Sequence, residues 1–427
     1  MQATRVSPAE QTMAFLQDVL GDLHPRDFRV RLWDGSTWEP DDGHDARFTV
    51  VLKHPSSLKR MFWPLNEVSL GEAFIFDDFD VEGDLEAVAG LGDHLESLAK
   101  DRARLARYAA RLMRMPGDGR REGARAAELD GRRHSKRRDA DAIRYHYDVS
   151  NDFYRLWLDR HMVYSCAYFA DGEQDLDAAQ ERKLDLICRK LRLRPGERLL
   201  DIGCGWGGLL VHAAREYGVD ATGITLSEPQ ARLAQRRIAE AGLSERCRAR
   251  VLDYRDVDES RPFDKLVSVG MFEHVGAELL PTYFEKASRL LAEGGTFLNH
   301  GISCSVFEHR RKHGPSFSQK YVFPDGELLP ISTTLAAAED AGFEVRDVED
   351  LREHYAMTLR HWVRRLEERA DEARACTDEA TYRVWRLYMT FAGVAFARNR
   401  IQVYQTLLHK HTGEPSGLPL TREDWYA

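Results

Sequence analysis

Paired cysteines are missing from this 427-residue chain. The six it has (Cys166, Cys188, Cys204, Cys247, Cys304 and Cys376) are scattered, with no Cys-x-x-Cys spacing. That argues against a disulfide framework and against a zinc site, and reads as reduced thiols in a cytoplasmic protein with no bound metal. Long apolar runs are missing too: none approaches the roughly 18 uncharged residues that cross a bilayer. The start, Met-Gln-Ala-Thr-Arg-Val-Ser-Pro, lacks the apolar core of a secretory signal. Nor is there an excess of positive charge. A net charge of −9 sets the whole molecule apart from nucleic-acid binders.

What is present is enough apolar material for real cores, 43% hydrophobic and 10% aromatic residues, and enough length for two or three domains. One stretch organises the rest: Leu199-Leu200-Asp201-Ile202-Gly203-Cys204-Gly205-Trp206-Gly207-Gly208. An apolar run, 198–202, ends in a glycine-dense turn and a helical stretch follows over 209–217. The glycines permit a sharp turn and let a ligand lie against bare main chain. The spacing Gly203-x-Gly205-x-x-Gly208 also fits a dinucleotide fingerprint, which is weak alone. Asp201 argues the other way. A carboxylate at the strand tip repels a pyrophosphate and attracts a cation, such as the sulfonium and amino groups of S-adenosylmethionine. A nicotinamide enzyme also calls for an acidic ribose contact after the second strand, where Thr225-Leu226-Ser227 stands.

After the loop, strands and helices alternate. Strands are expected at 220–226, 247–251, 263–270 and 294–300, and helices at 180–191, 228–241 and 280–291. Repeated βα units predict an α/β fold, a doubly wound Rossmann-like parallel sheet with ligands at the carboxyl ends of its strands. Those ends carry Asp201, Thr225, Asp253-Tyr254-Arg255, Glu273 and His300. Long helices rich in Tyr, Trp and Arg, 345–404, are expected to form a lid packed on the sheet.

Three segments are expected overall: a small α+β domain at 1–115, a basic flexible linker at 116–140, and the main domain at 141–427 with its late helical lid. In the first, 28–33 and 48–52 read as strands and Ser56-Ser57 as a helix start. Leu70 to Phe74 and Asp80 to Asp84 read as loop entering a helix near 85–98. The domain shows no catalytic constellation; it reads as a supporting module or a lipid-handling one. Basic residues concentrate over 100–138, including Arg120, Arg121, Arg125, Arg132, Arg133, Lys136, Arg137 and Arg138. Such a run is either solvated surface or a contact to an anionic leaflet, where each basic residue contributes about 1 kcal/mol. No aromatic residues interleave to stack bases, which again argues against nucleic acid.

Further matches join the glycine loop: His146-Tyr147-Asp148-Val149-Ser150-Asn151-Asp152-Phe153, Tyr164-Ser165-Cys166-Ala167-Tyr168-Phe169, Gly223-Ile224-Thr225-Leu226-Ser227, Gln230, Gly270-Met271-Phe272-Glu273-His274-Val275-Gly276 and Lys320-Tyr321-Val322-Phe323-Pro324-Asp325-Gly326. With these the chain resembles the cyclopropane-fatty-acyl-phospholipid synthases, a family of S-adenosylmethionine-dependent methyltransferases that includes the mycolic acid cyclopropane synthases. The resemblance covers most of residues 140–405.

It implies transfer of a methyl group to a cis double bond of a phospholipid acyl chain, then loss of a proton from the new methyl to close a ring. The implied base is a bound bicarbonate, held by Cys166, Glu273, His300, Ile302 and Tyr355. The implied donor contacts are Tyr164, Ser165, Gly203, Gly205, Thr225, Leu226, Gln230, Tyr254 and Arg255, with Asp201 beside them. The rings of Tyr147, Tyr164 and Phe169 would face the cationic intermediate. The family's late-helix cysteine has no counterpart near Phe391-Ala392-Gly393-Val394-Ala395, and the chemistry does not need one. Losing a different proton gives a 10-methylene or methyl-branched chain instead, with a partner reductase for the methylene product. The expected setting is the inner face of an anionic membrane, as a peripheral protein, alone or as a homodimer. A non-catalytic lipid-binding protein with an inactive methyltransferase domain is the rival of another class.

Overall fold

Two separate sheets organise the chain in the computed structural model, which describes residues 6–98, 100–117, 129–147, 149–170, 175–311 and 316–426. The chain divides into two compact units. One takes residues up to 126 with His313–Tyr321 and Asp378–Val394; the other takes 127–312, Val322–Thr377 and Ala395–Ala427.

The first unit is built on β1 (Phe28–Arg31), β2 (Thr37–Trp38), β3 (Phe48–Leu52) and β4 (Phe79–Gly83), in the order β2-β1-β3-β4. Phe28 and Val30 point inward, each 1% exposed, and Phe28 stacks on Phe48 with ring centroids 5.3 Å apart. Two expectations fail here. Asp80 to Gly83 lies in strand β4, where Val81 pairs in register with Val50. Leu70 to Phe74 lies in the helix Glu67–Ile75, whose start is capped by the Asn66 side chain accepting from the Ser69 amide at 2.9 Å. Acidic neighbours hid both the strand's alternation and the cap.

The late helices are not one lid. Most of the helix Glu379–Ala397 belongs to this first unit. Its buried Arg383 donates to the Phe74 carbonyl at 2.8 Å and pairs with Asp77 and Asp80, each at 3.0 Å. A buried guanidinium tolerates burial only with such partners, so the pairing fixes where the helix goes.

The second unit holds β5 (Arg198–Ile202), β6 (Asp220–Thr225), β7 (Cys247–Val251), β8 (Phe263–Val269), β9 (Leu291–Cys304), β10 (Phe343–Asp350) and β11 (Ile401–Lys410), in the order β10-β11-β9-β8-β5-β6-β7. From β9 to β7 the strands run parallel, as expected; β11 runs against them and β10, antiparallel to β11, runs with them, in a region that the sequence reading assigns to helix. Both faces are covered. Leu199, Val267 and Leu298 pack on one side and Leu200, Leu266 and Phe297 on the other, all 0% exposed. Each such side chain contributes about 1.5–3 kcal/mol. That is why β5, β8 and β9 carry consecutive apolar residues at their centres, while the edge strand β7 alternates.

Of the expected linker, Arg120, Arg121 and Arg125 lie outside the described residues, as does Asp148 of the segment that follows it. In its described part, Lys136–Tyr147 is a helix. Arg138 grips Asp325 at 2.5 Å, Arg132 pairs with Glu278 and Lys136 with Asp256. The basic charge is met by acids far away in sequence, so this stretch is an ion-paired brace. Among the described residues, no helix is long and apolar enough to cross a membrane.

Candidate active site

The carboxyl edge of the second sheet gathers the polar residues. At the tip of β5 the chain turns through Gly203 and Gly205, at φ +90° and +52°. The Gly203 and Cys204 amides both donate to the Ile224 carbonyl at 2.9 Å, stitching the turn to β6. A Cβ on Gly203 would sit 2.8 Å from Met271 Cβ. Gly203→Val is therefore expected to lower the melting temperature by about 2–10 °C, from about 1–3 kcal/mol of backbone strain and clash. It should also remove the stabilisation that S-adenosylhomocysteine gives the wild type in a thermal-shift assay.

Beside the turn lies a cavity of about 130 Å³. Tyr147, Tyr164, Ser165, Asp201, Gly203, Gly205, Thr225, Leu226, Gln230, Tyr254 and Arg255 all line it. The expected donor contacts thus converge on one space. Asp201 is 2% exposed, and among the described residues its Oδ1 has no hydrogen-bond partner. Burial pushes its carboxyl up to about 7, against the pull of the Lys183 charge. A cationic ligand would restore its charged form. At the end of β6, Thr225 donates to Gln230 Oε1 at 2.7 Å and accepts the Ser227 amide at 3.1 Å, which orients the carboxamide. Arg255 lines the cavity with its guanidinium already engaged, by Asp253 at 2.6 Å, Asp139 at 2.9 Å and the His134 carbonyl at 3.2 Å. It positions the loop rather than offering a free cation.

The five residues implied for the anion form two groups. Glu273 Oε1 accepts the Ile302 amide at 2.6 Å, and His300 lies on the same strand two residues before Ile302. Burial raises the Glu273 carboxyl to about 7. Cys166 and Tyr355 share a carbonyl: the Tyr355 amide donates to Leu351 O at 3.0 Å and the Cys166 thiol reaches the same oxygen at 3.6 Å. The thiol is fully buried and burial raises its pKa, so Cys166 stays a neutral donor. Tyr355 packs its ring on Phe396, centroids 4.6 Å apart. Among the described residues, Glu273 Oε2 and His300 Nε2 are buried without a hydrogen-bond partner. Phe169 is not among the cavity-lining residues; it is 4% exposed and stacks on His361 at 5.4 Å.

Four residues escape the sequence reading. Gln405 Nε2 meets His300 Nδ1 at 3.2 Å, Lys190 Nζ donates to Gln405 Oε1 at 2.8 Å, and Glu349 pairs with Lys190. The lysine fixes the amide, so Gln405 donates to Nδ1 and leaves the proton of His300 on Nε2. Burial first, then the Lys183 and Lys190 charges, hold the imidazole well below its usual pKa and hence neutral. The fourth is Lys183, 1% exposed and lining the cavity. A signal for the two lysines existed: they stand seven apart on the buried face of the helix Leu176–Leu191, amid Leu184, Ile187 and Leu191.

Comparison with known proteins agrees with this geometry. A family model described as mycolic acid cyclopropane synthetase matches residues 134–406, and a domain of unknown function (DUF7884) matches 15–94. A probable fatty acid methyltransferase of Pseudomonas putida is 42% identical over 418 residues, covering 97% of this chain and 100% of that one. The cyclopropane-fatty-acyl-phospholipid synthase of Escherichia coli is 33% identical over 378 residues, covering 87% and 90%. The crystal structure of mycolic acid cyclopropane synthase CmaA1 complexed with SAH and CTAB is similar with a TM-score of 0.59 and 37% identity, covering 64% of this chain and 98% of that one. A glycine turn under a buried carboxylate, a cavity lined by the expected donor contacts and a family match over most of the second unit lead to one conclusion: this chain belongs to the mycolic acid cyclopropane synthetase family and is an S-adenosylmethionine-dependent methyltransferase.

Proposed function

We propose that the protein methylates the cis double bond of unsaturated phospholipid acyl chains and closes a cyclopropane ring, with a bicarbonate ion as the base. One observation carries the anion: Glu273 Oε2 and His300 Nε2 are both buried and unpartnered among the described residues. Each orphaned buried group costs about 1–3 kcal/mol. An anion with one O–H and free lone pairs satisfies both at once. His300 Nε2–H donates to it, and ionised Glu273 accepts its hydroxyl proton. The main-chain amide of Ile302 stays on the other Glu273 oxygen and fixes the carboxylate.

The chemistry balances without a metal or a redox partner. The alkene π pair bonds the donor methyl carbon as the carbon–sulfur pair returns to sulfur. The other alkene carbon is left cationic, and the methyl C–H pair closes the ring as its proton departs. When bound, bicarbonate supplies the acceptor for that proton. The residues supply position, which lowers such barriers by about 7–11 kcal/mol, and a dry aromatic wall. Tyr164 contributes to that wall, 5.5 Å from Trp157 and 5.2 Å from Trp362 by ring centroid. The acyl chains come from an anionic leaflet. Arg102, Arg107 and Arg114 on the helix Arg102–Arg114 are exposed, while Arg104 and Arg111 are paired to Asp22 and Asp18.

A second reading, a methyl-branched or methylene product, is supported by the 42% identity to a protein described as a fatty acid methyltransferase. One experiment addresses both. The protein is incubated with S-adenosylmethionine and vesicles of unsaturated phosphatidylglycerol, and the fatty acids are analysed by mass spectrometry before and after catalytic hydrogenation. The expected product has gained one CH2 and resists hydrogenation, and it forms more slowly in bicarbonate-depleted buffer. A product that takes up hydrogen, or a saturated one two hydrogens heavier than the ring, selects the second reading, and a rate indifferent to bicarbonate removes that ion from the mechanism.

A further inference from the structure

The one cation among the expected donor contacts, Arg255, already has its guanidinium on Asp253 and Asp139, so it leaves the carboxylate at the amino-acid end of S-adenosylmethionine without a partner. Among the described residues, Lys183 is the only lysine lining the cavity. It is 1% exposed, and its Nζ makes one hydrogen bond among the described residues, to Ser165 Oγ at 2.8 Å. No carboxylate lies within ion-pair distance of it among those residues. Its longer-range charge partners are Asp159 and Asp201. Asp159 is occupied elsewhere, accepting the His161 and Val163 amides at 2.7 Å each. An ammonium taken out of water without a contacting anion is costly, and a bound carboxylate would remove that cost.

We propose that Lys183 is the residue that recognises the donor's carboxylate. Ser165 accepts from the lysine, so its own hydroxyl proton is free to point at the same carboxylate. In the same cavity, Asp201 takes the adjacent ammonium. The zwitterion is thus read by one buried cation and one buried anion, both lining the same space. The main chain helps: Gln180 Nε2 donates to the Ser165 carbonyl at 2.9 Å and holds the serine in place. The assignment concerns only donor binding and is independent of the anion proposed at Glu273 and His300.

Isothermal titration of the full chain with two ligands tests it. S-adenosylhomocysteine carries the amino-acid end and 5′-methylthioadenosine lacks it. Lys183→Gln keeps a donor for Ser165 and removes the charge. The expected result is at least a tenfold loss of affinity for S-adenosylhomocysteine, with less than a twofold change for 5′-methylthioadenosine. Equal losses for both ligands make Lys183 a structural residue and overturn the proposal, as does an unchanged affinity for S-adenosylhomocysteine. Should Lys183→Gln fail to fold, the wild type is titrated with the methyl ester of S-adenosylhomocysteine, which lacks the carboxylate charge. Binding at least tenfold weaker than the acid upholds the assignment, and binding as tight as the acid overturns it.

Discussion

Glu273→Gln is expected to reduce kcat by at least about a hundredfold, within the range that acid–base groups supply, while affinity for S-adenosylhomocysteine changes less than twofold. Glutamine keeps an oxygen for the Ile302 amide, so the strand contact survives. What it loses is the negative oxygen that takes a proton. His300→Ala should behave alike, because it removes the neutral Nε2–H donor and leaves the donor cavity intact. Full turnover in both variants would rule out the anion site. The pH profile carries the same signature. Burial raises Glu273 to about 7, and its working form is ionised. Activity is therefore present above that value and lost as pH falls through it. Asp201 is also raised to about 7 by burial and must be ionised to attract a cationic donor. The acid limb in kcat thus belongs to Glu273, and kcat/KM carries Asp201 as well. A kcat that is flat from about pH 6 to 8 would contradict the assignment.

The second large effect is expected at Gln405, which touches no substrate. Gln405→Glu replaces an N–H donor by an acceptor beside His300 Nδ1. The ring then carries its proton on Nδ1 and turns a bare lone pair toward the anion. Losses of tenfold to a hundredfold, of the kind seen when the partner of a ligating histidine is changed, are about what is expected in kcat. The pH profile should shift with it, because a carboxylate at Nδ1 raises the imidazole's pKa. Lys190→Met should reproduce part of the loss, since the lysine orients the amide from its oxygen side. A purely structural role for Gln405 predicts lower stability with an unshifted pH profile, so thermal unfolding and the profile together separate the two.

Much of this was written in local sequence. The run into Asp201 and the glycines after it announce a strand, a turn and a helix, because buried strands are apolar on both faces and only glycine enters positive φ freely. Polar residues at successive strand ends place Thr225, Glu273 and His300 at one edge from the sequence alone. Other signals misled. The start of β11 reads as helix because its neighbours are long and helical, although Ile401 to His409 pairs residue by residue with β9. The basic run looked mobile because its acidic partners, Asp325, Glu278 and Asp256, lie more than a hundred residues further on.

The sequence alone therefore determined the fold class, the glycine loop and many of the residues that line the cavity, since these follow from periodicity and from backbone chemistry within a few neighbours. Only the tertiary structure decided which groups are orphaned and which are satisfied. The His300 proton is set by Gln405, 105 positions away, and the charge near Asp201 by a lysine on a separate helix. Protonation and polarity depend on who is adjacent in space and on how much water is excluded, and neither quantity is local along the chain.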